Sequence, residues 1–173
     1  MSIGFMVNQD TAMIWRGPMV ISAIKTFTTN VLWDNLDYLV VDLPPGTGDA
    51  LLTFSQEIQI DGAVIISTPQ EIALLDANRG IKMFQKTNVN ILGIVENMSS
   101  FTSDDGREYF IFGENGAEIM SKNLNIELLG KIPIEIGLRE AADNGKPYVE
   151  FFENNKTARA IIEIAKKITK KIK

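Results

Sequence analysis

The order of apolar and polar positions along the chain predicts three buried β-strands. Each is a short run of mostly apolar, often β-branched residues that ends in Asp, Thr or Asn: Leu36–Asp42, Gly62–Thr68 and Ile91–Asn97. Strands that are apolar on both faces are typical of a parallel sheet with helices packed on each side. Two further runs, Ile126–Ile132 and Ile3–Val7, predict additional edge strands.

Segments with helical spacing alternate with these strands. They are Met19–Val31, Ala50–Ile58, a helix after the second strand with Ile72, Leu75, Ile81 and Phe84 on its core side, Ala117–Leu124, and residues 157–172. This alternation predicts an α/β fold, a layered and mostly parallel sheet with helices on both faces. No repeat, low-complexity tract or linker interrupts the pattern, so we expect residues 1–173 to form a single domain.

The amino-acid composition excludes several kinds of catalytic and metal-binding site. The 173 residues contain no cysteine and no histidine, which excludes disulfides, thiolate nucleophiles, Cys/His zinc sites and His-based triads. Seventeen basic residues against 22 acidic residues give a net charge of −5, the wrong sign for a general nucleic-acid binder. Neither a signal peptide nor an apolar run of about 18 residues is present, so we expect a cytoplasmic protein.

The segment with the most candidate functional residues directly follows the first predicted strand. Its sequence is Asp42-Leu43-Pro44-Pro45-Gly46-Thr47-Gly48-Asp49. A carboxylate at the end of an apolar strand is the Walker B arrangement, which holds the hydration shell of Mg²⁺ beside nucleotide phosphates. Pro44 stiffens the exit from the strand, and Gly46 and Gly48 let the backbone approach a γ-phosphate. The alternative is a plain strand-to-helix turn in which Asp49 caps the next helix.

Asn97 closes the third predicted strand, and Pro133 follows the fourth. An Asn amide offers both a donor and an acceptor, so it can pair with the N6 and N7 edge of adenine. Pro133 can lie against a base at the same edge of the sheet. Each residue also has an ordinary alternative, because Asn is a common turn former and Pro a common strand terminator.

The phosphate-binding P-loop, Gly-x-x-x-x-Gly-Lys-Ser/Thr, has no match in this sequence. Gly46-Thr47-Gly48 is followed by Asp49, and Gly145-Lys146 is followed by Pro147. The chain therefore contains a Walker B-like half-site without a Walker A motif.

Several segments in a fixed order carry a resemblance to a known family. They are Met1–Phe5, Trp15–Met19, Asp37–Asp49, Thr68–Gln70, Asp76–Gly80, Gly93–Ser99 and Ile111–Gly113. With them the chain resembles the Mrp/ApbC family of iron–sulfur cluster carrier ATPases, a branch of the MinD/ParA-like deviant P-loop NTPases. In that family the first strand and the P-loop lie upstream of the segments found here, so the chain resembles the C-terminal part of the fold.

The resemblance implies ATP and Mg²⁺ as cofactors and assigns roles to six residues. Asp42 would hold Mg²⁺ through water, Pro44, Gly46 and Gly48 would lie in the γ-phosphate switch, Asn97 would contact adenine, and Pro133 would lie close to the base. It identifies no catalytic side chain. Where many members carry Cys-x-x-Cys, this sequence has Ser103 and Gly106, so cluster binding by this chain is not expected.

The resemblance implies an ATP-binding protein of iron–sulfur cluster assembly, with iron–sulfur apoproteins as partners. It also implies a homodimer or a pairing with a P-loop-containing chain, and ATP hydrolysis by this chain alone is not expected. The alternative is a non-enzymatic remnant or interaction module that pairs with a P-loop-containing relative. A third hypothesis places the lysine-rich last helix on an anionic membrane, but a core-packed terminal helix is the favoured interpretation.

Overall fold

The computed structural model describes residues 1–2, 5, 17–43, 52, 54–55 and 58–172. By internal contacts the chain divides into two compact units, Met1–Gln59 and Ile60–Lys173. Each unit is described by itself, and the expectation of one domain stays a prediction.

The first unit contains helix α1 (Gly17–Thr29), which confirms the helix predicted from Met19. After it, Trp33 Nε1 donates a hydrogen bond to the carbonyl oxygen of Phe27 at 2.9 Å. The predicted Ala50–Ile58 helix is described only at residues 52, 54 and 55, which are helical, and all of Ile3–Val7 except Phe5 lies outside the described residues.

The strand predicted at Leu36–Asp42 is wrong. These residues have no regular secondary structure, and the side chain of Val40 is 90% exposed. A strand is held by ladder hydrogen bonds to a neighbour, and no described strand pairs with this segment. Without that partner, its apolar side chains stay in contact with water.

The second unit alternates strands and helices as the sequence predicts. Its elements are β1 (Ala63–Ser67), α2 (Glu71–Lys86), β2 (Ile91–Thr102), β3 (Glu108–Tyr109), α3 (Gly116–Leu124), β4 (Leu128–Ile134), α4 (Ile136–Asp143), α5 (Tyr148–Phe151) and α6 (Lys156–Ile172). The predictions for β1, β2, β4, α3 and α6 are confirmed within a few residues. The short helices α4 and α5 and the continuation of β2 past Asn97 were not predicted.

Strand β2 is the centre of the sheet. It pairs in parallel with β1 and with β4, and its last two residues pair antiparallel with β3 to form a hairpin. The mostly parallel sheet confirms the predicted fold class. Because β1, β2 and β4 run in the same direction, their carboxyl ends meet at one edge, where ligands bind in open α/β sheets.

One face of this sheet packs against α6. Val95, Leu129 and Ile164 form a buried cluster, with Ile132 and Ile168 packed against it. Two lysines of α6 reach the neighbouring strand region: Lys167 Nζ donates to the carbonyl oxygen of Leu129 at 2.7 Å, and Lys171 Nζ lies 2.7 Å from Glu127 Oε2. The apolar stripe of the last helix is therefore occupied by the core, as its favoured interpretation predicts.

The predicted core side of α2 is only half right. Ile81 and Phe84 are buried, but Ile72 is 76% exposed and Leu75 is 56% exposed. The second half of the helix lies on the sheet, whereas Ile72 and Leu75 of its first half point away from the core. Periodicity identifies an apolar face and does not show where along the helix it is covered.

Candidate site at the carboxyl edge of the sheet

The structure brings together two of the predicted site residues, Asn97 in β2 and Pro133 in β4. Asn97 is paired with Ile132 in the parallel ladder, so Pro133 is one position further along the neighbouring strand. Both residues stand where the regular pairing of β2 and β4 ends. Pro133 has no N–H to donate to the ladder, which suits the end of a regular run.

The ladder breaks directly after Asn97. The next paired residues are Phe101 and Ile134, so β2 places three residues opposite the single Pro133. Within this bulge Met98 adopts a left-handed backbone with φ 54°, a conformation that residues other than glycine rarely adopt. Bulges of this kind redirect a strand and often lie next to functional sites.

The side chain of Asn97 is held by the same bulge. Its Oδ1 accepts a hydrogen bond from the backbone N–H of Met98 at 3.0 Å. Its Nδ2 has no hydrogen-bond partner in the part of the chain that the structure describes. The amide therefore presents two donor hydrogens at the edge of the sheet, while its oxygen is engaged locally.

Glu96 precedes Asn97 and is 1% exposed. One carboxylate oxygen accepts the backbone N–H of Ala117 in the first turn of α3 at 2.8 Å, and the other lies 3.7 Å from Lys131 Nζ in β4. Lys131 also donates to Glu118 Oε2 at 2.7 Å and to Oδ1 of Asn115. Sequence reasoning missed this cluster, although a charged residue inside an apolar strand was a visible signal for it.

The charged side chains around Glu96 shift the pKa of Lys131 upwards and the pKa of Glu118 downwards. For Lys131, burial alone lowers the pKa, but the hydrogen bond to Glu118 and the charges of Glu96 and Glu118 outweigh it, so the pKa is raised above 10.5. For Glu118, hydrogen bonds from Lys122 and Lys131, together with their charges, lower the pKa from 4.5 to about 2. Each shift favours the charged form.

The low pKa of Glu118 predicts its behaviour in acid. Because the folded-state pKa lies below the ordinary value, the stabilisation from its ion pairs is complete above about pH 4.5 and is lost as the pH falls through about 2. We expect the side-chain carboxyl ¹³C signal of Glu118 to titrate near pH 2 in an NMR pH series. A midpoint near 4.5 would show that the ion pairs with Lys122 and Lys131 do not form in solution.

A cleft of about 550 Å³ opens beside this cluster. Its lining includes Glu96, Lys131 and Pro133, together with Ser99 and Ser100 of the β2 continuation. Five carboxylate side chains line it against two ammonium groups; the other charged residues are Asp104, Glu108, Glu114, Glu135 and Lys156. Asn97 is not among the residues that line this cleft, and the net negative lining disfavours phosphate groups there.

The four other predicted site residues belong to the first unit. Asp42 is exposed and lies in the first unit. Pro44, Gly46 and Gly48 lie outside the described residues. The roles that the resemblance assigns to these four residues stay predictions.

Ser103 and Gly106, the positions where the resemblance implies a cysteine pair, lie in a tight turn between β2 and β3. The N–H of Gly106 donates to the carbonyl oxygen of Ser103 at 2.9 Å, and Gly106 has φ 81°. Among the described residues, no group of three or more His, Cys, Asp or Glu side chains is placed to hold a metal ion. No helix within these residues has the length and apolar character to cross a membrane.

Comparison with known proteins gives one family. A family profile described as "ParA: NUBPL iron-transfer P-loop NTPase" matches residues 1–169. The chain is 52% identical over 173 residues to an iron-sulfur cluster carrier protein of Synechocystis sp., a match that covers 99% of this chain and 49% of that protein. It is 46% identical over 174 residues to the iron-sulfur cluster transfer protein NUBPL of Mus musculus, covering 100% of this chain and 54% of that protein. The chain spans about half the length of these curated relatives.

Solved structures agree with the fold. A nucleotide-binding protein from Archaeoglobus fulgidus, determined in complex with ADP, matches with a TM-score of 0.66 and 41% identity over 74% of this chain and 53% of that chain. The cell division ATPase MinD of Pyrococcus furiosus matches with a TM-score of 0.64 and 24% identity over 90% of this chain and 59% of that chain. At 24% identity the second match shows the fold alone, a mostly parallel sheet with helices.

Proposed function

Because the chain belongs to the family of NUBPL-type iron-transfer P-loop NTPases, we propose that it forms the base side of an adenine-nucleotide site in a protein that carries iron–sulfur clusters. The observation that supports this most is the position of Asn97, whose Nδ2 is unpartnered within the described structure beside Pro133. The Archaeoglobus fulgidus relative, solved with ADP, supports the choice of ligand.

The geometry suggests how adenine would be read. With Asn97 Oδ1 engaged by Met98, the group left for the ligand is the Nδ2 donor, which matches the acceptor N7 of adenine. The apolar ring of Pro133 offers a surface for dispersion contact with a flat base.

The phosphate side of the proposed site needs groups that these 173 residues do not supply. The sequence contains no P-loop, so neither the amide cradle nor its lysine comes from this chain. An exposed carboxylate at Asp42 fits a water-mediated Mg²⁺, which would neutralise phosphate charge when bound. We therefore propose that hydrolysis requires a P-loop from outside these residues and that this chain alone does not hydrolyse ATP.

We propose that the iron–sulfur cluster is the cargo of the protein and not a resident cofactor of this chain. This sequence provides no thiolate or imidazole, and Ser103 and Gly106 do not fit a soft iron site. A role in carrying clusters, with iron–sulfur apoproteins as recipients, rests on family membership. Any cluster ligands of the usual kind would come from another part of the assembly.

An interaction module is the second candidate function, and one observation favours it. In the first unit Leu36, Leu39, Val40 and Val41 are all exposed, and no strand among the described residues pairs with their segment. Such a segment is a template for pairing with another chain, either a second copy or a P-loop-containing relative. We expect oligomers in analytical ultracentrifugation; a monomer with a sharp two-state melt would contradict this candidate.

Replacing the Asn97 amide tests the nucleotide site. Asn97→Asp keeps an oxygen that accepts the N–H of Met98 but loses the Nδ2 donor, so ADP affinity should fall by about fivefold, as expected for the loss of one hydrogen bond worth about 1 kcal/mol. The measurement is an NMR titration with ADP, which reaches millimolar affinities. Asn90→Asp, at an exposed position just before β2, is the matched control and should bind within about twofold of the wild type. Equal affinity for wild type and Asn97→Asp would reject the assignment of Asn97.

A further inference from the structure

Glu96 is a buried charge in a strand that is otherwise apolar up to that point. Burying a carboxylate is expensive, and replacing a buried ion pair by apolar residues is often neutral or stabilising. The stability of the core therefore does not explain why a carboxylate stands at this position. Its location, one residue before Asn97 and paired with Lys131 in β4, points to a role in the site.

The ladder between β2 and β4 needs an additional constraint at this point. One irregularity falls between Ile94 and Val95, and a second falls after Asn97. The regular pairing between them is only three residues long, Val95 to Asn97 against Gly130 to Ile132, and Glu96 and Lys131 are its central pair. A slip of one residue would turn every side chain of such a run to the opposite face.

The second link of Glu96 runs to helix α3. The residue before this helix, Asn115, has a left-handed backbone and its side chain does not cap the helix; its oxygen instead accepts a hydrogen bond from Lys131. The carboxylate of Glu96 accepts the N–H of Ala117 in its place and puts negative charge at the positive end of the helix dipole. One buried side chain thus connects β2 to both α3 and β4.

We propose that Glu96 is a positioning residue for the adenine site: its links to Ala117 and Lys131 fix the register that places Asn97 beside Pro133. The inference rests on the proposed function, because it assigns Glu96 a role in nucleotide affinity. Glu96 does not contact the base, and it acts through the backbone of β2 and its pairing with β4.

Three variants of the 173-residue chain test the proposal, each titrated with ADP and followed by ¹H–¹⁵N NMR. Glu96→Ala removes both links and should weaken ADP binding at least about fivefold. Glu96→Gln keeps an oxygen that accepts the N–H of Ala117 but turns an amide NH₂ group towards Lys131, so it should weaken ADP binding less than Glu96→Ala does, by about two- to threefold. Glu163→Gln, which breaks an exposed Glu–Lys pair on α6, is the matched control and should bind as the wild type does.

Cross-strand NOEs between Asn97 and Ile132 in the absence of ligand provide a readout that does not depend on binding. They should be lost in Glu96→Ala and present in Glu96→Gln. A folded Glu96→Ala with wild-type NOEs and wild-type affinity would overturn the proposal. If the wild type itself does not bind ADP, the proposed function fails, and the NOEs alone decide whether Glu96 sets the register.

Glu96→Ala is at risk of not folding, since it leaves Lys131 and the first turn of α3 without their buried partner. In that case Lys131→Met is the variant to measure. It should fold, because Lys131 is partly exposed and Met preserves most of its apolar stem. A loss of ADP affinity of about threefold or more together with weakened Asn97–Ile132 NOEs would support the proposal. Wild-type values for both would overturn it.

Discussion

Truncating Leu129 to alanine should lower the free energy of unfolding by about 2–5 kcal/mol. Leu129 is 1% exposed and lies in β4 between Val95 of the neighbouring strand and Ile164 of α6. The substitution removes buried apolar surface and leaves a cavity that the strand and the helix cannot fully close. Urea unfolding followed by circular dichroism measures the change.

Leu75→Ala is the matched control for this variant. The side chain of Leu75 is 56% exposed in the middle of α2, so the same truncation removes little buried surface and should change the stability by less than about 0.5 kcal/mol. Equal losses for the two variants would mean that the second unit does not have the core described here. The comparison also tests whether α6 is docked on the sheet in solution.

Gly116→Ala should destabilise the chain by about 1–3 kcal/mol. Gly116 is the first residue of α3, and a Cβ atom there would stand 2.2 Å from the carbonyl oxygen of Pro69 and 2.8 Å from Leu74 Cδ1. The oxygen belongs to the backbone of the loop between β1 and α2, so it cannot move aside as a flexible side chain would. Thermal and urea unfolding measure the loss.

Gly80→Ala, at a second helical glycine, should instead raise the stability of the protein. Gly80 lies inside α2, and a Cβ there would meet no atom within 4 Å. Alanine should therefore stabilise the helix by about 0.5–1 kcal/mol, because it restricts the unfolded chain more than glycine does. If Gly116→Ala also stabilises the protein, the close approach of α3 to Pro69 is incorrect.

The sequence pattern predicted the strands of the second unit and failed at Leu36–Asp42 in the first unit, for a physical reason. Gly62–Thr68 and Ile91–Asn97 are strands because each has a neighbour to complete its ladder. Leu36–Asp42 has the same apolar pattern but no described strand beside it, and it is not a strand. An apolar run indicates that a segment favours burial, and the partner that buries it has to be present.

Some features of the candidate site could be predicted from the sequence, and others depend on contacts that only the fold creates. Asn97 and Pro133 could be predicted because the carboxyl ends of parallel strands meet at one edge. The bulge that fixes the Asn97 side chain could not, because Met98 is not a residue type that signals a left-handed backbone. The role of Glu96 depends on Ala117 and Lys131, which are distant in sequence, and only the fold brings these residues together.

The most direct test of the central claim is a residue-resolved map of ADP binding to the wild-type chain. In ¹H–¹⁵N spectra, ADP should shift the Asn97 side-chain amide and the backbone signals of Met98, Ile132 and Ile134, while CDP at the same concentration, whose base has no N7 acceptor, should leave them unchanged. That result would place adenine at the carboxyl edge of β2 and β4. Shifts confined to another surface, or identical shifts with CDP, would contradict the assignment of Asn97 to the base side of the site.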